Sequence, residues 1–139
     1  MGFGRQESIL EAAVEQSGSP VVLTTGELDP PRPAIVYVND AFLRLTGYTR
    51  EELVGATPRI FQGPATERTV LDRLKANLRA GHVFDGRTWN YRKDGTPFQL
   101  HWTILPLRLA GEEIDHFVSV QWDVTQQDDT QPYQDPNRE

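Results

Sequence analysis

Cysteine is missing from all 139 residues, which removes disulfides, thiolate metal sites and thiol nucleophiles together. Positive charge is scarce too: 14 Lys and Arg stand against 20 Asp and Glu, a formal charge of −6. Nucleic acid is not an expected partner, because its phosphates need a basic face and none is visible. Long apolar runs are lacking as well. No stretch approaches the roughly 20 residues that span a bilayer, and Met1-Gly2-Phe3-Gly4 does not lead into a signal-peptide core. A soluble, cytoplasmic domain is expected, with no membrane partner. Histidine occurs three times. His82 and His116 fall near turns and His101 on the polar side of a strand, so neither haem nor another metal centre is expected. The carboxylates gather in Glu51-Glu52, Glu112-Glu113 and the C-terminal tail, where helix ends and turns account for them. No enzymatic acid–base chemistry is expected.

What is present reads as one domain, large enough to bury roughly two-thirds of its unfolded surface. Residues 6–16, QESILEAAVEQ, carry apolar positions at helical spacing and are stopped by Ser17-Gly18-Ser19-Pro20. Val21 to Thr25 and Ala34 to Val38 read as a strand pair joined by a Pro-rich loop. Asn39-Asp40 caps a helix ended by Gly47, and Thr49 with Glu52 forms a capping-box signature for a helix ending at Gly55. Thr66 is expected to cap a helix carrying Val70, Leu71, Leu74 and Leu78, stopped near Gly81. Three meandering strands follow, over 84–92, 96–106 and 114–124, turned by Lys93-Asp94-Gly95 and Ala110-Gly111-Glu112. The division is therefore 1–19 as flanking helix and linker, 20–125 as the folded unit and 126–139 as a polar tail or linker, expected to be disordered. The fold class is α+β, a five-stranded antiparallel sheet with short helices on one face.

Between two helices lies Gly55 to Pro64, GATPRIFQGP. Pro58 suits a first helical turn, where its missing N–H costs nothing, and Gly63-Pro64 closes the segment. One short turn thus carries Thr57, Arg59 and Gln62 beside Ile60 and Phe61. It either floors a ligand pocket or merely connects, with Arg59 bonded to a neighbour. Strand alternation puts Phe98, Leu100, Trp102 and Ile104 on the helix side. It does not settle the other two strands. Thr88, Asn90 and Arg92 alternate with Arg87, Trp89 and Tyr91, while Phe117, Ser119 and Gln121 alternate with Val118, Val120 and Trp122. Apolarity alone leans toward burying Trp89, Tyr91, Val118, Val120 and Trp122. An inward Asn90 or Gln121 would cost about 1–3 kcal/mol if its amide stayed unpaired.

Four pieces of this chain resemble the PAS superfamily and, within it, the flavin-binding light-oxygen-voltage (LOV) sensors. They are Val38-Asn39-Asp40-Ala41-Phe42 with Thr46-Gly47-Tyr48, then Arg59-Ile60-Phe61-Gln62-Gly63-Pro64, then Asn90-Tyr91-Arg92-Lys93-Asp94-Gly95, and Val118-Ser119-Val120-Gln121. The resemblance covers about Pro20 to Thr125. It implies the PAS fold and flavin mononucleotide (FMN) between sheet and helices, and it turns Asn90 and Gln121 inward. Arg59 and Lys75 would hold the phosphate, and Thr57 and Gln62 would touch the ribityl chain or the ring. Asn90 would meet the pyrimidine edge, and Gln121 would approach N5 and O4. Leu100 occupies the place of a second clamp asparagine. Pro58 stands where photoactive members carry the cysteine that adds to the flavin, so no thiol adduct can form. The expected response to blue light or redox state then runs through flavin reduction, with Trp102 as the nearest electron donor. Trp89, Trp122, Tyr48 and Tyr91 would be the relay. A homodimer through the N-terminal helix or the sheet face, and a fused or separate signalling effector, are the expected partners. Two alternatives remain: a redox sensor binding flavin adenine dinucleotide (FAD), and a cofactor-free PAS interaction module.

Overall fold

The computed structural model describes residues 12–126. Of the expected N-terminal helix, residues 12–16 are helical; its earlier part and the tail beyond 126 lie outside the described residues. The elements run β1 (Val21–Thr25), β2 (Ile35–Val38), α1 (Asp40–Thr46), α2 (Arg50–Leu53), a 3-10 turn (Pro58–Phe61), α3 (Arg68–Arg79), β3 (Phe84–Tyr91), β4 (Pro97–Leu107) and β5 (His116–Asp123). The sheet order is β2-β1-β5-β4-β3, every neighbour antiparallel. First and last strands therefore meet in the middle, Leu23 opposite Val118. The α+β class and five-stranded sheet expected from the sequence are what the chain forms.

Local chemistry sets the element ends. Asn39 is 1 % exposed and spends its whole amide. Its Oδ1 accepts from Phe42 N and Val21 N, while Nδ2 donates to Val14 O and Ser19 O. One side chain thus caps α1 and fastens the N-terminal helical residues to the sheet. Gly47 ends α1 with φ 80°, a left-handed conformation that glycine adopts without penalty. The Thr49–Glu52 capping box is complete, with Thr49 N donating to Glu52 Oε1 and Glu52 N donating to Thr49 Oγ1. Thr66 is a correction. Helix α3 begins one residue later, after Glu67, with no side-chain cap. Thr66 Oγ1 instead donates to Trp89 O and accepts from Gly63 N, because closing the Gly63–Thr66 turn against β3 uses the hydroxyl.

Two apolar clusters fill the space between sheet and helices. Val22, Ile35, Val38, Phe42, Leu53 and Phe61 pack α1, α2 and the 3-10 turn on β1 and β2. Leu78, Phe84, Phe98, Leu100, Trp102, Ile104 and Phe117 pack β3 to β5 under α3. On the other sheet face Val14 packs with Val21, Leu23 and Val118. The two inner clusters do not merge, and a cavity lies between them.

Candidate functional site

The cavity is walled by Val22 and Phe61 from the first cluster and by Leu78, Leu100, Trp102, Ile104 and Phe117 from the second. Its volume is about 170 Å³. That is roughly ten times the ~10–15 Å³ one water needs on the same measure and below the roughly 300–1,000 Å³ of ordinary ligand clefts. All eight residues singled out in the sequence line it: Thr57, Arg59, Gln62, Lys75, Asn90, Leu100, Trp102 and Gln121. The sheet supplies the amides and the apolar wall. The 3-10 turn and α3 supply the cations.

Inward placement of the two amides corrects the lean given by apolarity. Gln121 is 7 % exposed and lines the cavity, whereas Trp122 is 41 % exposed on the opposite face, its ring 5.4 Å from that of His101. The alternation rule holds, and the polarity rule fails. A cavity wall takes polar groups that a filled core would reject. Among the described residues the side chains of Gln62, Lys75 and Asn90 have no hydrogen-bond or ion-pair partner. The Asn90 amide therefore offers both donor and acceptor to a ligand.

Arg59 answers the pocket-or-connector question on both sides. It lines the cavity, and its terminal nitrogens donate to Arg32 O, Leu28 O at 3.0 Å and Thr57 Oγ1 at 3.2 Å. Leu28 and Pro33, from the loop it holds, also line the space. The turn itself is braced from β3. Tyr91 Oη accepts from Ala65 N at 2.8 Å, and a Cβ on Gly63 would meet the Tyr91 ring at 2.3 Å. Only glycine allows that approach.

Sequence reasoning passed over Ser119 and Arg68 as site residues. Ser119 shares the Gln121 face by alternation, and its Oγ accepts from Gln121 Nε2 at 3.2 Å. Arg68 lies seven residues before Lys75, on the same helical face, and lines the cavity with Asp72. Both signals were in the spacing.

The polar sheet wall, the apolar walls and the helix-side cations suit a flat ring with a hydrogen-bonding edge and an anionic tail. A family model described as PAS domain matches residues 20–126. A blue-light-activated histidine kinase from Brucella anthropi is 36 % identical over 123 residues, covering 88 % of this chain and 25 % of the kinase. The chain thus spans about a quarter of that relative's length. The solved LOV domain of the Erythrobacter litoralis EL346 blue-light activated histidine kinase is 31 % identical with a TM-score of 0.71, covering 77 % of this chain and 96 % of that one. A light-oxygen-voltage domain studied with a flavin analogue is 30 % identical with a TM-score of 0.78, covering 87 % and 88 %.

Proposed function

The chain belongs to the PAS domain family and is LOV-like within it, and from that premise we propose that residues 20–125 form an FMN-binding sensory unit, with 1–19 as a flanking segment and 126–139 as a linker. The observation that carries the reading is the convergence of the eight sequence-picked residues on one cavity, with the Asn90 amide unpartnered among the described residues. The donor set fits the group. Arg59 and Lys75 hold the phosphate, Thr57 and Gln62 the ribityl chain, Asn90 the pyrimidine edge and Gln121 the N5 and O4 side. Leu100 would border the ring without a hydrogen bond. Lys75 binds as a point charge without the fork of an arginine. A bound flavin supplies blue-light absorption and reversible reduction.

Trp102, 6 % exposed in the cavity wall, is the side chain that would give an electron to a bound flavin, since Pro58 leaves no thiol to react, with an external reductant restoring the indole. Gln121 would face the N5 side of the ring. Its strand carries the output. Gln121 N donates to Pro20 O at 2.9 Å, and Val118 packs on Val14, so a shift of β5 would reach the flanking segment. The receiver is a dimer partner or a fused effector such as the kinase of its relatives, and the setting is cytoplasmic. FAD in place of FMN needs only a longer tail at the cationic side.

A second reading has its own observation: the terminal nitrogens of Arg59 are already used by two loop carbonyls and Thr57. That suits a cofactor-free interaction module. Titration with FMN and riboflavin, followed by flavin fluorescence, separates the two. Saturable FMN binding, at least tenfold tighter than riboflavin, is expected of the sensor; no saturable binding of either flavin supports the module. Illumination of the flavin-loaded protein with a reductant then tests the light response. Persistent oxidised absorbance would remove it.

A further inference from the structure

Ser119 and Gln121 project from one face of β5 into the cavity, each 7 % exposed. Gln121 lies opposite Trp102 in the register. The Gln121 Nε2 donates to Ser119 Oγ at 3.2 Å, and among the described residues its Oε1 accepts nothing. A primary amide has one donor end and one acceptor end. With the donor end held by the serine, the oxygen is the end left for a ligand. Turning the amide over would require the serine hydroxyl to reverse with it.

We propose that Ser119 is a positioning residue that fixes the Gln121 amide oxygen toward the ligand, so that the cavity favours the ligand form bearing an N–H at that point. The inference rests on the flavin reading of the cavity. Oxidised flavin offers only acceptors there, N5 and O4. Two-electron reduction by an external reductant, with one proton taken from solvent onto N5, replaces an acceptor by a donor. Ser119 therefore favours the reduced form. It does so through Gln121 and without touching the ring.

The test compares dissociation constants for oxidised FMN in air and dithionite-reduced FMN under anaerobic conditions. In S119A the reduced form is expected to weaken about tenfold relative to the oxidised one, equivalent to a midpoint potential lower by about 30 mV for a two-electron couple. S119T keeps the hydroxyl and is expected to keep the ratio. In a Q121L background S119A is expected to change nothing, because the serine has no amide to orient. A ratio within twofold of the parent in S119A, or an equal shift in the Q121L background, overturns the role of Ser119 and leaves flavin binding standing. Failure of oxidised FMN to saturate the parent protein overturns the flavin reading and this inference together.

Discussion

At Pro58 and Leu100 single side chains of the cavity wall set what chemistry a ligand would meet. Pro58 opens the 3-10 turn and lines the cavity. P58C puts a thiol on that wall, and the flavin-loaded variant is expected to gain a blue-light bleaching of the flavin band that recovers in the dark. The loss of proline's restriction costs about 0.4–1 kcal/mol. Unchanged spectra in P58C would show that the turn does not face the ring. Leu100 is 1 % exposed, so L100N is expected to destabilise the empty protein by about 1–3 kcal/mol in urea titration. The same amide is expected to tighten FMN about five- to tenfold, the worth of one net hydrogen bond of about 1 kcal/mol. At this scale the sequence left the faces of β3 and β5 open. Apolarity assumes a filled interior, and Asn90 and Gln121 border a cavity instead. Trp122, 41 % exposed, and Trp89, half-buried, take the opposite face by strand alternation.

Both ends of α1 and the start of α2 lie where their caps put them, and those were the most legible part of the chain. Asn39 at the head of α1, Gly47 at its end and the Thr49–Glu52 box were readable because each rests on contacts within a few residues. Thr66 misled for the complementary reason. Its partner, Trp89 O, is remote in sequence, and no local rule finds it. N39A breaks four hydrogen bonds at a buried site and is expected to cost about 2–4 kcal/mol, read from the urea midpoint. G63A drives a methyl into the Tyr91 ring and is expected to cost about 1–3 kcal/mol, with part of the loss recovered in the G63A/Y91A pair. Glu52 gives a pH prediction. The Lys93 ammonium and the Thr49 N–H hold its carboxyl below the ordinary value of 4.5. A group depressed on folding stabilises above its unfolded pKa, and that contribution is lost as pH falls through the folded one. The melting temperature of the parent is expected to fall faster than that of E52Q between pH 5 and 3. Parallel curves would assign the loss to other carboxylates.

Over the whole molecule, the sheet order β2-β1-β5-β4-β3 brings the chain's first and last strands together. The flanking residue Val14 therefore rests on the strand that carries Gln121. Strand count and direction were legible from turn signals. The β1–β5 pairing was not, since contacts between distant residues leave no periodicity. The cavity follows from that topology: two clusters packed on different halves of one sheet leave a gap between them. Among the described residues no helix is long and apolar enough to cross a membrane. If this gap is a flavin site, the mass of what heat-denatured protein releases after reconstitution with a mixture of riboflavin, FMN and FAD shows it. Release of FMN in near-equimolar amount is the expected result, with FAD in its place keeping the flavin site but correcting the tail. A colourless protein that releases no flavin would show that the gap is not a flavin site.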